Sequence, residues 1–259
     1  MTSVFQPVKF DAPLVNPSPN GLFAAVAWQT DVDGRPRWLG GGVDVRVFNY
    51  GGEDSFGVWA ADWCGLQEDL DVGDVKDAGD RPESLDTFVA LTTWAADECD
   101  LTRRSGDEVR ARAEQVHRLQ EPNQAEAEVA ERLLSDAGAA TAADDLVAAL
   151  GVLEGALAKT NTLGVIHAGA QWAAVAADKG LIVRSGSVLK SPMGHQWVFG
   201  GGYVAGLVNT LVATSPLFGW RTDVKVHDAV KLEHNLFKAI AERSLVIGYE
   251  AAVGAAVIQ

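Results

Sequence analysis

The feature that most constrains this chain is a long, charged helical pattern from Ser105 to Leu134. Acidic and basic side chains alternate along it, and a thin set of apolar residues returns at helical spacing. These apolar residues are Val109, Val116, Leu119, Val129 and Leu133. The pattern predicts a surface helix that turns one narrow face to the core and leaves its other faces in water.

Two capping signatures lie within this pattern. Ser105 comes three residues before Glu108, and Asn123 comes three residues before Glu126. Both pairs match the capping box, in which each side chain bonds a backbone N–H of the other residue. Between them, Pro122 lacks a backbone donor and its ring hinders helical continuation. The sequence therefore predicts either one long, kinked helix or two helices that meet near Pro122.

Composition sets broad limits. Hydrophobic residues make up 47% of the 259 residues, which suffices for a core in one large domain or two small ones. No apolar run reaches the ~20 residues of a membrane span, and the first residues lack a signal-peptide pattern, so we expect a protein kept inside a cell.

The net charge of −14 excludes a protein whose whole surface binds nucleic acid. Cys64 and Cys99 lack zinc or disulfide spacing and are predicted to be buried thiols.

The N-terminal segment predicts an arm. Residues 1–21 contain four prolines among scattered apolar side chains, which favours an extended arm that needs a partner surface. A disordered tail is the alternative, although such tails usually contain fewer Phe, Val and Leu residues. The next residues, 22–28, predict a short apolar strand or a turn of helix.

A β-hairpin is predicted between residues 38 and 63. Val43, Val45 and Val47 alternate with polar residues, which is typical of a strand. Residues 49–54 match a turn, and residues 56–59 begin a return strand. Three glycines at 40–42 give the hairpin a hinge. Because a lone hairpin is marginal in water, it must lie against another surface.

The segment from residue 62 to residue 100 is strongly acidic. The spacing of its acidic residues suggests a calcium loop of the EF-hand type, which needs Gly at position 6 and Glu at position 12. If Asp69 is position 1, these positions hold Asp74 and Asp80, so the pattern does not match. We therefore predict no metal site. Residues 84–94 predict a buried strand that leads into the charged helix.

The C-terminal half predicts alternating helices and strands. Thr141 with Asp144 opens a helix with a leucine stripe at Leu146, Leu150, Leu153 and Leu157. Residues 163–167 predict a buried strand, and residues 171–178 predict a helix stopped by Gly180. Further strands are predicted at residues 181–184, 187–189, 197–199, 207–214, 218–226 and 245–258.

No concentrated catalytic constellation is present in the sequence. Gly200, Gly201 and Gly202 follow an apolar strand, but they do not match the spacing of a dinucleotide loop, so we predict a turn that permits close backbone packing. The five histidines are scattered, and His167 is predicted to be a core or turn residue. We assign no catalytic, cofactor-binding or metal-binding residue and expect a protein that is not an enzyme.

The order of these parts resembles the HK97-fold major capsid proteins of tailed bacteriophages, a fold shared with encapsulin shells. The resemblance rests on Leu163 to Trp172 (LGVIHAGAQW), Thr214 to Val226 (TSPLFGWRTDVKV) and Ala241 to Val253 (AERSLVIGYEAAV). The last of these carries an acid–arginine pair before the final strand, as many members of this family do.

The resemblance implies an α+β, HK97-like capsid fold with four parts. These are an N-terminal arm (1–21), an extended loop or β-hairpin region (22–66), a peripheral domain with a spine helix (67–140 and 214–259) and an axial domain (141–213). It places no cross-link: Lys225 or Asn49 could be nominated, but no motif supports either. Without a long N-terminal scaffolding domain, assembly is expected to be guided by another protein or by the shell itself.

The implied function is that of a major capsid protein, which self-assembles as hexamers and pentamers into an icosahedral shell around double-stranded DNA without binding it specifically. Scaffolding, decoration and portal proteins are the implied partners, and no membrane is involved. The protein would be assembled in the host cytoplasm and reside in the virion. Three alternatives stay open: another virion component such as a tail or connector protein, an encapsulin-like compartment shell, and an α+β enzyme.

Overall fold

The computed structural model describes residues 10–30, 35–52, 55–59, 61–74, 76 and 78–259. The described residues form five α-helices: α1 (Trp38–Gly41), α2 (Arg103–Ala137), α3 (Leu146–Thr160), α4 (Trp172–Asp178) and α5 (Tyr203–Gly206). They also form twelve strands: β1 (Val26–Trp28), β2 (Leu91–Asp100), β3 (Thr141–Ala143), β4 (Val165–Gly169), β5 (Val183–Ser185), β6 (Val188–Lys190), β7 (Gln196–Gly200), β8 (Thr210–Thr214), β9 (Leu217–Arg221), β10 (Lys225–Lys231), β11 (Leu236–Tyr249) and β12 (Ala252–Ile258). Short 3₁₀ turns lie at Leu22–Ala24, Gln67–Asp69, Val72–Asp74 and Leu232–His234.

The first sheet is organised around β11, the longest strand. It pairs antiparallel with β2 along one edge, and with β10 and then β9 along the other. β1 extends the sheet by pairing parallel with β9. Helix α2 covers one face, where Val109 and Ala113 pack on Ala239 and Ala241. Small side chains on both sides let the helix approach the sheet closely.

The second sheet has seven strands in the order β3-β12-β8-β4-β7-β6-β5. All five residues of β4 are buried, as expected for a central strand with both faces covered. The predicted leucine stripe of α3 packs on this sheet, and its four leucines are at most 2% exposed. The helix begins later than predicted, with Asp145 as N-cap, because the Asp145 side chain accepts the backbone N–H of Ala148 at 2.8 Å. Thr141 lies in β3 instead.

Helix α2, the spine helix, is one helix with Pro122 inside it, so the long-helix alternative is confirmed. Its N-cap is Thr102, whose side-chain oxygen accepts the backbone N–H of Ser105 at 3.3 Å. The two predicted capping boxes are therefore wrong. A proline inside a helix costs about 3 kcal/mol. Burial of the following turns, with Ala125 and Leu133 both fully buried, offsets that cost.

The predicted hairpin strands are not formed by the described residues of that region. Val43 makes a single bridge to Phe88, in which each backbone N–H bonds the other residue's carbonyl at 2.8 and 3.0 Å. Val43 and Val45 pack on the core, which accounts for their alternation in the sequence, whereas residues 55–59 are exposed. Part of the predicted turn, residues 53 and 54, lies outside the described residues, as do residues 1–9 of the predicted arm.

Several other boundaries differ from the predictions. The strand expected at residues 84–94 begins at Leu91, and the region 218–226 divides between β9 and β10. Residues 22–28 form both a 3₁₀ turn and a strand. Cys64 and Cys99 are both exposed, which corrects the prediction of buried thiols. The predicted helix at 171–178 is confirmed, and Gly180 after it has a φ of +69°.

Strand pairing places the C-terminal residues in both sheets. Residues 245–258, predicted as one strand region, divide between the end of β11 and the whole of β12. β12 pairs with β8 and β3 and so lies in the second sheet, with the residues predicted as the axial domain. The chain therefore crosses from the first sheet to the second at residues 250 and 251.

Candidate assembly surfaces and their buried anchors

Three polar residues of the spine helix are buried. His117, Glu121 and Glu126 are 2, 4 and 1% exposed, although they stand in the charged pattern that predicted solvated side chains. Buried polar groups need hydrogen-bond partners, because desolvation without one is costly. The partners of these residues lie far away in sequence, so local pattern analysis missed this role.

Glu126 joins three separate segments. Its Oε1 accepts the backbone N–H of Leu22 and its Oε2 accepts that of Gly202, both at 2.9 Å. Burial raises the pKa of this carboxyl, while hydrogen bonds from Leu22, Gly202 and Gly201 lower it in part, and the net shift is upward. One carboxylate thus anchors the end of the N-terminal arm and a glycine turn to the spine helix.

The glycine turn fits against the helix because it lacks side chains. A Cβ at Gly202 would lie 2.1 Å from the carbonyl oxygen of Asn123, and one at Gly201 would lie 2.5 Å from its side-chain oxygen. The prediction of a turn that permits close backbone packing is confirmed. Asn123, predicted as a helix cap, is a packing partner of this turn.

A second buried cluster ties the spine helix to the first sheet. The Arg243 guanidinium on β11 donates two hydrogen bonds to the Glu121 carboxylate. Thr93 on β2 donates to the same carboxylate at 3.5 Å and lies 3.1 Å from the His117 ring. Burial, together with the like charge of Arg243, lowers the pKa of nearby Arg221.

The acid and the arginine named in the resemblance, Glu242 and Arg243, do not bond each other. Glu242 and Arg243 are consecutive residues of a strand and point to opposite faces of the sheet. Glu242 lies 3.6 Å from His227, whereas Arg243 bonds Glu121 across the buried face.

His167 is a fully buried core residue, as predicted. Its two ring nitrogens lie 3.0 Å from the Tyr203 hydroxyl and 3.0 Å from the Thr214 hydroxyl. Burial lowers the pKa of His167 to about 3. The ring is therefore neutral at physiological pH and links β4, β8 and α5.

This burial predicts a pH dependence of stability. An unfolded chain protonates His167 near pH 6.5, whereas the folded chain does so only near pH 3, so the folded state loses stability as the pH falls below 6.5. The loss is about 2 kcal/mol at pH 5. Urea unfolding measures this effect. Between pH 7 and pH 5, the free energy of unfolding should fall by about 2 kcal/mol less in His167→Gln than in the wild-type chain. Equal pH dependence in both proteins would contradict the assignment.

The segment from residue 46 to residue 66, here called the aromatic loop, exposes large apolar side chains. Phe48, Phe56, Val58 and Trp63 are 76, 84, 87 and 95% exposed. Soluble monomers rarely expose so many large apolar groups on one segment, and clusters of this kind mark interaction sites. The aromatic loop is the first candidate assembly surface.

The arm is the second candidate surface. The backbone oxygen of Val15 accepts hydrogen bonds from Gln115 at 2.8 Å and Arg118 at 3.3 Å, so this part of the arm lies against the spine helix. Phe10 and Leu14 remain 81 and 71% exposed. Residues 10–18 of the arm form no helix or strand, and these two apolar side chains lie in solvent.

Other candidate chemistry gains no support from the described residues. They hold no group of three or more His, Cys, Asp or Glu side chains placed to bind a metal ion. None of the helices in the described part of the chain has the length and apolar character needed to cross a membrane. Lys225 is exposed on β10, whereas Asn49 is hydrogen-bonded to Glu250.

No protein-family model matches the sequence, and no curated protein matches it. Solved structures do match the fold. The mature capsid of bacteriophage PhiM1 has a TM-score of 0.51 and 10% identity, covering 100% of this chain and 91% of that chain. A structure from Mycobacterium phage Bobi has a TM-score of 0.55 and 11% identity, covering 100% and 97%. The holo-SrpI encapsulin of Synechococcus elongatus PCC 7942 has a TM-score of 0.53 and 14% identity, covering 99% and 92%.

These matches run over the whole chain and include both sheets and the spine helix. Sequence identity this low establishes the fold alone. The chain has the α+β HK97 fold, in which it resembles phage capsid and encapsulin shell subunits.

Proposed function

We propose that the chain is the subunit of a closed protein shell and, within that class, the major capsid protein of a tailed bacteriophage. The observation that carries this proposal is the aromatic loop, where Phe48, Phe56 and Trp63 are exposed on a segment with no strand in its described residues. Such side chains lose contact with water when a neighbouring subunit covers them, which favours assembly.

In this proposal the arm (1–21) and the aromatic loop make contacts between subunits. The peripheral domain contains residues 67–140 and the first sheet, and the axial domain contains residues 141–213 together with β12. Hexamers and pentamers of the chain would tile the shell, with the axial domain at the symmetry axes. Repeated identical interfaces of this kind form closed rings when the rotation between neighbours brings the last subunit back onto the first.

The charge of the chain fits a shell that encloses DNA. A net charge of −14 repels phosphates, so the genome would not adhere to the wall during packaging. Scaffolding, decoration and portal proteins would be the further partners, with assembly in the host cytoplasm and residence in the virion. We propose no catalytic activity for the chain.

A second candidate is an encapsulin-like compartment that encloses protein cargo. The full-length match to the holo-SrpI encapsulin favours it, because the fold serves both kinds of shell. A tail or connector protein of the virion would form tubes or rings instead of closed shells.

Electron microscopy of the purified recombinant protein, with light scattering, tests the shell. Closed particles tens of nanometres wide are expected. The content of particles isolated from the natural source then separates the candidates, since nucleic acid supports the capsid and a protein cargo supports the compartment. Only monomers or small rings, also after co-expression with the neighbouring genes, would overturn the proposal.

Deletion of the exposed part of the loop should abolish shells. Replacing residues 46–59 with a short Gly-Ser linker removes Phe48, Phe56 and Val58, so we expect soluble small species in light scattering. Circular dichroism and thermal unfolding provide the control, because no strand of either sheet includes a described residue of this segment. As a milder variant, Phe48, Phe56 and Trp63 can all be changed to serine. Normal shells from both variants would rule out an assembly role for the loop.

A further inference from the structure

The chain crosses between the two sheets at two neighbouring places. Residues 215 and 216 connect β8 to β9, and residues 250 and 251 connect β11 to β12. The Ser215 hydroxyl accepts the backbone N–H of Glu250 at 2.8 Å and that of Ala251 at 3.2 Å. A third bond runs from the Ser215 N–H to the Ala251 carbonyl at 2.9 Å. The two crossings are thus held together as one junction between the sheets.

The Glu250 carboxylate extends from this junction to the aromatic loop. It accepts hydrogen bonds from the backbone N–H groups of Phe48 and Asn49, and from the Asn49 side chain at 2.7 Å. Burial raises the pKa of this carboxyl, but these three hydrogen bonds outweigh burial and hold its pKa below the usual range. The group is therefore ionised at neutral pH and a strong acceptor.

The neighbouring contacts of the loop lie at the same place. The Tyr50 hydroxyl lies 3.0 Å from the Thr162 hydroxyl, in the turn after α3. Tyr50, Asn49 and Glu250 line a cavity of about 340 Å³ together with Pro216 and Phe218. A partly open cavity therefore separates this part of the loop from the junction. The loop contacts the junction through few groups, chiefly the hydrogen bonds of Asn49 and Tyr50.

We propose that Glu250 is a positioning residue that fixes the start of the aromatic loop to the junction between the sheets. Because Glu250 also bonds the Ser215 hydroxyl through its backbone N–H, its carboxylate holds residues 48 and 49 at a fixed place relative to both sheets. The exposed aromatic side chains are then presented to a neighbouring subunit in one orientation. The assembly role rests on the proposed shell function, whereas the attachment of the loop does not.

An oxygen acceptor is required at this position because three N–H donors converge on it. Glutamine could keep the attachment, because both backbone N–H groups bond the same oxygen, Oε1, and its NH₂ group could bond the oxygen of a turned Asn49 amide. Methionine has a similar length and shape but no oxygen acceptor. Glu250→Met therefore removes the attachment without removing bulk. Asn49→Ala is the matched partner variant, since it removes one of the three donors and keeps both backbone N–H groups.

The test uses the full-length chain and measures amide hydrogen exchange segment by segment. In Glu250→Met we expect exchange of the Phe48 and Asn49 amides to rise roughly tenfold or more, with a smaller rise in Asn49→Ala and no change in α2 or β11. Glu131→Met, at an exposed carboxylate on α2, is the control and should leave exchange unchanged. Unchanged exchange at residues 48 and 49 would overturn the attachment.

Assembly gives the second readout. Glu250→Met should yield fewer particles with a broader size distribution in electron microscopy, at an unchanged midpoint of thermal unfolding. Uniform particles at normal yield would overturn the positioning role. A rise in hydrogen exchange over the whole chain would also overturn it, because it would show that Glu250 stabilises the fold in general. If the wild-type chain forms no particles, the shell function fails, and the exchange result still decides the attachment.

Discussion

Replacing Glu126 with alanine is expected to lower the free energy of unfolding by about 4 kcal/mol. The substitution leaves the backbone N–H groups of Leu22 and Gly202 without their acceptor in a buried site. Each unsatisfied buried donor costs about 1–3 kcal/mol, and the missing side chain adds a small cavity. The loss is large because one residue holds the arm, the spine helix and the glycine turn together.

Chemical denaturation measures this effect, and two variants sharpen it. Glu126→Gln keeps the shape but turns an NH₂ group toward an N–H donor, so it should also destabilise, by roughly 2 kcal/mol or more. Glu131→Ala, an exposed carboxylate one to two turns further along the same helix, should change stability by less than about 0.5 kcal/mol. A cost for Glu126→Ala that does not exceed that of Glu131→Ala would contradict the anchoring role.

Elements whose partners lie close in sequence could be predicted. The leucines of α3 recur at helical spacing because one face packs on the second sheet, and that face determines the helix. The small residues at 200–202 likewise indicated close backbone approach, although the sequence could not name Asn123 as the group approached. The resemblance to HK97-fold proteins rested on the order of such elements, and the fold comparisons confirm it.

Buried polar anchors could not be predicted, since their partners are far away in sequence. Asn123 and Glu126 match a capping box, yet the helix continues through both, and the carboxylate bonds Leu22 and Gly202 instead. Tertiary burial here overrides a local rule worth about 1 kcal/mol. A buried glutamate and an exposed one look the same in a helical charge pattern, so only the position of Glu126 among Ala125, Val129 and Ala130 could have indicated burial.

The hairpin prediction was wrong for a related reason. Alternating valines indicate that one face is covered, and Val43 and Val45 are indeed packed on the core. The alternation of apolar and polar residues does not show which element covers the valines. Here they pack on the core of the protein and not on a second strand of a hairpin. Exposed cysteines are a similar case, because a thiol at 64 or 99 carries no local pattern that distinguishes surface from core.

The buried ion pair between Glu121 and Arg243 should give the other large effect. Removing one partner of a buried pair leaves an uncompensated charge and costs about 3–5 kcal/mol. Glu121→Gln should cost more than Arg243→Met, because the positive charges of Arg243 and nearby Arg221 repel each other and the Glu121 charge that offsets this repulsion is then lost. In Arg243→Met, the Thr93 hydroxyl still donates to Glu121.

A double-mutant cycle separates this pair from general loss of packing. The double variant should lose less stability than the two single losses added together, with a coupling energy of about 2 kcal/mol, because it buries no unpaired charge. Asp107→Asn removes an exposed partner of Arg110 on the same helix and should cost less than about 0.5 kcal/mol. Additive losses in the cycle would mean that the guanidinium and the carboxylate stabilise the fold independently and not as an ion pair.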